Sequence, residues 1–153
     1  MKTLELKVPP VALVFLFMIL MWWLSSHLPV LGFGADFRMS MFIVLTVISA
    51  GVCFAGLSAF RAQKTTVNPI KPETSSSLVQ SGIYRFTRNP MYLGMALFLV
   101  GFGVYLDSVF AVLSVLLFVA YMTRFQIQPE ESALKKNFGR SFEEYMNTTR
   151  RWL

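Results

Sequence analysis

The stretch Gly82-Ile-Tyr-Arg-Phe-Thr-Arg-Asn-Pro-Met-Tyr-Leu-Gly94 is a polar, arginine-bearing loop that runs straight into a hydrophobic helix. Pro90 divides the two regimes, because a proline fits the first turn of a helix, where its missing N–H leaves nothing unpaired. Arg85, Arg88, Asn89 and Tyr92 are costly to place at a membrane boundary unless something there uses them.

Working outward, four apolar segments stand out: about 9–28, 39–60, 91–106 and 108–125. The first two reach the ~20 residues that cross a bilayer core. The third would cover only ~24 Å at ~1.5 Å per residue, so it begins within the headgroup zone or sits where the bilayer thins. The expected fold class is therefore an all-α integral membrane protein: one domain over residues 1–153, four transmembrane helices, and interfacial helices at the C-terminus. Composition agrees. The chain is 55% hydrophobic and 14% charged, with a mean hydropathy of +0.56, more apolar surface than a soluble domain of this size can hide.

The first segment follows Lys2 and Lys7, as a signal peptide would, but it is long, carries Trp22 and Trp23 near its end and lacks a small-x-small cleavage site, so it reads as a retained helix. Of the 14 basic residues, 13 fall before the first span, between the second and third, or at and beyond the end of the fourth; only Arg38, beside Asp36, falls opposite. Four spans put those three regions on one side, which the positive-inside rule assigns to the cytoplasm of an inner or plasma membrane. The net charge of +6 is explained by topology and anionic headgroups, and no nucleic-acid-binding motif accompanies it.

The central loop, about 61–89, is solvated around Thr65, Pro69, Pro72 and Ser75–Ser77, then turns apolar at Leu78, Val79, Ile83 and Tyr84, as a segment folding back onto the membrane surface would. After the fourth span, Pro129-Glu130-Glu131 opens another helix, since acids suit the N-terminal dipole. Gly139 stops it, and Ser141 and Glu144 have capping-box spacing for a further short helix. The aromatic and basic mixture there belongs to helices lying at the interface.

A very short connection makes the third and fourth helices antiparallel neighbours. Arg88, Asn89 and Tyr92 therefore meet Glu130 and Glu131 on one side, above an apolar wall. Such a pocket suits a ligand that is zwitterionic at one end and aromatic at the other: an arginine can hold a carboxylate, a glutamate an ammonium, and apolar walls a base. Taken alone, the same acids also charge a helix start, and the same arginines set topology.

Other arrangements are absent. There is no G-x-x-x-x-G-K phosphate loop and no H-E-x-x-H zinc site. The single cysteine, Cys53, excludes an intrachain disulfide framework, and the single histidine, His27, falls near the opposite membrane face. Gly51, Ala55 and Ala59 give the second helix a small-residue face that serves either internal packing or a homodimer contact.

Ser77-Leu-Val-Gln-Ser-Gly-Ile-Tyr84, Arg88-Asn-Pro-Met-Tyr-Leu-Gly94, Glu130-Glu-x-x-Leu134 and Phe138-Gly139 with Tyr145 together resemble the isoprenylcysteine carboxyl methyltransferase family, whose core the phospholipid N-methyltransferases share. The resemblance covers about 60–152. It implies a membrane-embedded methyltransferase that takes S-adenosylmethionine from the cytoplasm and a lipophilic or small acceptor from the membrane. By motif position, Ser76, Ser77, Leu78, Val79, Tyr84, Asn89, Pro90, Met91 and Tyr92 would line the cofactor, and Glu130 would hold its amino-acid end. The phospholipid branch adds Gly94, Met95, Ala96 and Glu131. Asn89 and Arg124 would take the catalytic positions, Arg124 standing near where the family offers an arginine to substrate. Where eukaryotic members usually carry histidine this chain has Asn89, which hydrogen-bonds but does not titrate near neutral pH. The rival readings are a nicotinamide-dependent reductase-like protein and a non-enzymatic membrane subunit that keeps the fold.

Overall fold

The computed structural model describes residues 5–63 and 78–153. They form α1 (Pro10–His27), α2 (Ala35–Ala62), a 3-10 turn (Gly82–Arg85), α3 (Pro90–Tyr105), α4 (Val109–Tyr121), a π-helical segment (Met122–Ile127), α5 (Gln128–Phe138) and α6 (Arg140–Thr148). Among the described residues there is no strand, only the isolated bridges Val30–Ser108 and Thr87–Arg150. Three helical runs are long and apolar enough to cross a membrane: Pro10–His27, Ala35–Ala62 and Val109–Phe138. The last is apolar through Ile127 and polar from Gln128 onward. α3, at 16 residues, is the short apolar helix that the sequence predicts.

Two packing layers meet on α3. On one side Tyr92, Ala96 and Leu99 face Leu13, Phe17 and Met21 of α1 and Val115 and Phe118 of α4; the Phe17 and Phe118 rings meet edge to face at 5.5 Å, a favoured aromatic geometry. On the other side α2 approaches closely. A Cβ on Gly94 would overlap Cys53 Sγ and come within 3.0 Å of the Ser49 carbonyl, and one on Gly101 would meet Leu45 at 3.0 Å. Ser49 Oγ donates to the Gly94 carbonyl at 2.8 Å, so a hydroxyl buried among apolar helices is satisfied. Gly51 meets nothing within 4 Å. Gly56 of α2 instead packs against Pro90 and Met91. Phe15, Val47 and Phe54 are 61%, 66% and 68% exposed, the outward apolar surface that lipid covers.

The end opposite the polar mouth is tied by Asp107, a left-handed residue (φ 57°) in the α3–α4 turn. Its carboxylate accepts the Gly32 and Phe33 N–H groups at 3.2 and 3.1 Å, and its carbonyl accepts Leu31 N–H at 2.8 Å. Arg38 points to Asp107 at 3.9 Å rather than to Asp36.

The expected end of the fourth span near Phe125 is not a helix end. The chain stays helical but widens into the π segment, and Pro129 supplies the reason. Inside a helix a proline cannot donate to the carbonyl four residues back, and its ring clashes with it; that carbonyl is Phe125. The backbone relaxes into i→i+5 bonding, with Gln128 N–H reaching the Thr123 carbonyl. The released Phe125 carbonyl accepts Leu6 N–H at 3.1 Å. The wider turns also change phase. At about 100° per residue, a fourth residue in an α-helix overshoots its predecessor by about 40°. The π turns absorb that drift, so Phe118, Met122 and Gln126 stay on one buried stripe, 0%, 1% and 3% exposed.

Gly139 ends α5 with φ 52°, a conformation glycine adopts at no steric cost. The capping box does not form. α6 begins at Arg140 with no side-chain cap, and Glu144 pairs with Arg140 at 3.0 Å on the same exposed face.

Candidate functional site

The loop read first in the sequence folds as a short 3-10 turn that buries Tyr84, and Val79 before it is buried too. The Tyr84 ring meets Phe60 at the end of α2 edge-on, 5.4 Å between centroids, and Tyr145 of α6 donates to the Tyr84 carbonyl at 2.7 Å. Burial pushes the Tyr84 and Tyr145 phenols above their usual range, so both stay protonated. Pro90 opens α3, as the sequence predicts, and Asn89 precedes it without a side-chain cap.

The α3 face that carries Tyr92 meets the stripe set up by the π segment. Tyr92 Oη donates to Glu130 Oε1 at 2.5 Å, and Gln126 Nε2 donates to the same oxygen at 2.6 Å and stands 3.4 Å from Tyr92 Oη. Glu130 Oε2 has no hydrogen bond among the described residues. Burial raises the Glu130 carboxyl to about 7, against the lowering effect of its two donors.

Glu131 lives in a different environment one residue on. Arg151 reaches it with Nε and Nη2 at 3.0 and 2.6 Å, and Arg88 Nη2 at 2.7 Å. Burial pushes its carboxyl up, but the two guanidiniums outweigh that and hold it below the usual carboxylate range. Arg88 Nη1 also donates to the Met146 and Thr149 carbonyls at 3.0 and 2.5 Å. The tail after α6 is held backbone to backbone, Arg88 N–H to the Arg150 carbonyl at 3.0 Å, and by Asn89 Nδ2 donating to the Arg151 carbonyl at 2.8 Å. Trp152 Nε1 closes the frame on Thr123 Oγ1 of the π segment at 3.0 Å.

The residues singled out in the sequence thus divide. Tyr92, Met95 and Ala96 share the core side with Glu130. Pro90, Met91 and Gly94 face α2, where Cys53 donates to the Met91 carbonyl at 3.6 Å. Leu78 is half-buried next to buried Val79, whereas Ser76 and Ser77 lie outside the described residues. Arg124 is not brought to Glu130. It stands two residues before Gln126 on the opposite side of the helix and pairs with Glu5 at 3.0 Å. Sequence reasoning missed Gln126, Thr87 and the tail residues Arg151 and Trp152. Gln126 alone carried a signal, a polar side chain four residues before Glu130 on one helical face.

An all-helical bundle with apolar outer faces and a polar, carboxylate-bearing end defines the class as a multi-pass membrane protein. The sequence matches the phospholipid methyltransferase family over residues 37–141, and the chain belongs to that family. It is 30% identical over 128 residues to protein-S-isoprenylcysteine O-methyltransferase B of Arabidopsis thaliana, covering 81% of this chain and 56% of that protein; the chain thus spans little more than half of that relative. It is also 36% identical over 63 residues, 41% of this chain, to the whole of an uncharacterised protein of Haemophilus influenzae. No solved structure matches. The family match begins at residue 37 and so takes in α2.

Proposed function

We propose that this membrane methyltransferase uses S-adenosylmethionine and methylates a lipophilic or small acceptor through a carboxylate, amine or thiol. The observation that carries the reading is the convergence of Tyr92 and Gln126 on one oxygen of Glu130, at the mouth between α3 and the π segment, in a chain of this family. The group fits: a half-buried carboxylate with one oxygen free of donors among the described residues suits an ammonium. When bound, S-adenosylmethionine would supply a methyl group activated by its positive sulfur: the acceptor's bond to the methyl carbon forms as the carbon–sulfur bond breaks, and neutral S-adenosylhomocysteine is the leaving group.

This chain's residues then have distinct tasks. Glu130 holds the ammonium, and Tyr84, Leu78, Val79, Tyr92, Met95 and Ala96 give the wall its shape. Asn89 positions rather than carries a proton, since displacement at a methyl needs alignment more than proton transfer. Glu131 holds Arg88 and Arg151 and so keeps the frame around Glu130. α1 to α4 each cross the membrane in this reading, with both chain ends and the site on the cytoplasmic side. A lipophilic acceptor then arrives from the bilayer.

Thermal-shift measurements on detergent-solubilised protein test this. S-adenosylhomocysteine is expected to stabilise it and NADPH to leave it unchanged. Stabilisation by NADPH alone would favour reductase-like chemistry, and stabilisation by neither a non-enzymatic subunit.

A further inference from the structure

We infer that Gln126, carried inward by the π segment, is a positioning residue of the site: with Tyr92 it engages one oxygen of Glu130 and leaves the other for a cationic group of the ligand. The inference deepens the function proposed above and rests on it for the ligand's identity, but its geometry stands separately. Gln126 is 3% exposed, where an amide is costly to bury without partners. Its Nε2 lies 2.6 Å from Glu130 Oε1, the length of a charge-assisted bond.

Gln126 owes its place to Pro129. Without the π turns, the residues that follow Met122 would drift about 40° per four-residue step away from the buried stripe. The proline that displaces the Phe125 carbonyl therefore also brings Gln126 and Glu130 in line with Tyr92.

The groups that face Glu130 set what Gln126 does there. Tyr92 donates to it from α3. Burial pushes its carboxyl up and Glu131 on α5 adds to that, whereas the Tyr92 and Gln126 bonds pull it down; Tyr84 on the 3-10 turn also faces it, as a neutral phenol. Arg88 and Arg151 are spent on Glu131. Donation from Gln126 favours the ionised form, the one that attracts an ammonium. Its loss should move Glu130 toward the neutral acid.

The test reads Glu130 itself. Carbon-13 carboxyl resonances of the full chain in micelles are followed against pH, with Glu130 assigned by its disappearance in Glu130→Gln. The wild-type midpoint is expected near the value of about 7 that the surroundings set. Gln126→Met and Gln126→Asn are each expected to raise it by about one unit, the size expected for loss of one hydrogen bond to a charged group. A midpoint is insensitive to the fraction of protein that folds, so a less stable variant still reports. An unchanged midpoint in both variants overturns the inference. Titration with S-adenosylhomocysteine separates the two claims. A midpoint that falls on addition supports the ammonium contact, whereas one that stays put while the Gln126 variants shift refutes the cofactor reading and leaves the positioning role standing.

Discussion

Replacing Arg88 with leucine should uncouple the tail from the start of α3. The guanidinium makes three hydrogen bonds, to the Met146 and Thr149 carbonyls and to Glu131, at 3.0, 2.5 and 2.7 Å. Its side chain is 11% exposed and that of Glu131 14%. Removing one partner from a buried pair costs about 3–5 kcal/mol when the other charge is orphaned. Glu131 keeps Arg151, so the expected loss lies at the low end, about 3 kcal/mol, mostly from carbonyls left without a donor. Arg85→Leu removes the same charge from an exposed turn residue and should stay within about 0.5 kcal/mol. Denaturant titration in micelles measures both, and limited trypsin digestion reports release of the tail. The pH dependence carries a sign. Because the folded Glu131 carboxyl is depressed, its contribution is present above the ordinary value of 4.5 and is lost as pH falls through the lower folded value. Arg88→Leu should weaken that acid dependence. A loss under about 1 kcal/mol, or one equal to that of Arg85→Leu, would refute the frame.

Gly94→Val should destabilise the α2–α3 contact by about 1–3 kcal/mol, as overpacking does, since the new Cβ would overlap Cys53 Sγ; unchanged stability in denaturant titration would mean α2 does not lie against Gly94. Pro129→Ala restores an N–H for the Phe125 carbonyl and should let the π segment revert to α-helix, turning Glu130 away from Tyr92. Binding of S-adenosylhomocysteine, followed by calorimetry, should weaken about tenfold, equivalent to about 1.4 kcal/mol; wild-type affinity would show that the π turns do not set the site. Arg124→Ala breaks an ion pair whose arginine is 44% exposed and should cost less than about 1 kcal/mol. If Arg124 serves the acceptor, methyl transfer will fall while S-adenosylhomocysteine affinity holds, and a fall in that affinity would contradict its placement away from Glu130.

The helices were legible because lipid imposes a simple rule: apolar runs long enough to cross must be helical, and Pro90, Pro129 and Gly139 punctuate them by local sterics. The meeting of Tyr92 with Glu130 was legible too, because a short connection between α3 and α4 forces antiparallel neighbours. What escaped depends on phase and on distant backbone. The π segment arises from a clash between Pro129 and Phe125 that hydropathy does not register, and it decides that Gln126 faces inward and Arg124 outward. The tail's part in the frame runs through carbonyls of Met146, Thr149 and Arg151, groups every sequence possesses. Gly94, read as part of a cofactor motif, packs on α2, and sequence could not show that contact because a glycine serves a close helix approach and a close ligand approach equally well.

The central claim, that Glu130 holds the cationic end of the cofactor, is tested most directly by calorimetry of S-adenosylhomocysteine with wild type and Glu130→Gln. With the carboxyl set near 7, wild-type affinity should be full at pH 8 and weaken as pH falls below about 7, where the acid becomes neutral. Glu130→Gln should bind at least tenfold more weakly at pH 8, a loss of about 1.4 kcal/mol or more, and should show little change with pH between 8 and 6. A variant that binds as tightly as wild type at pH 8 would contradict the account.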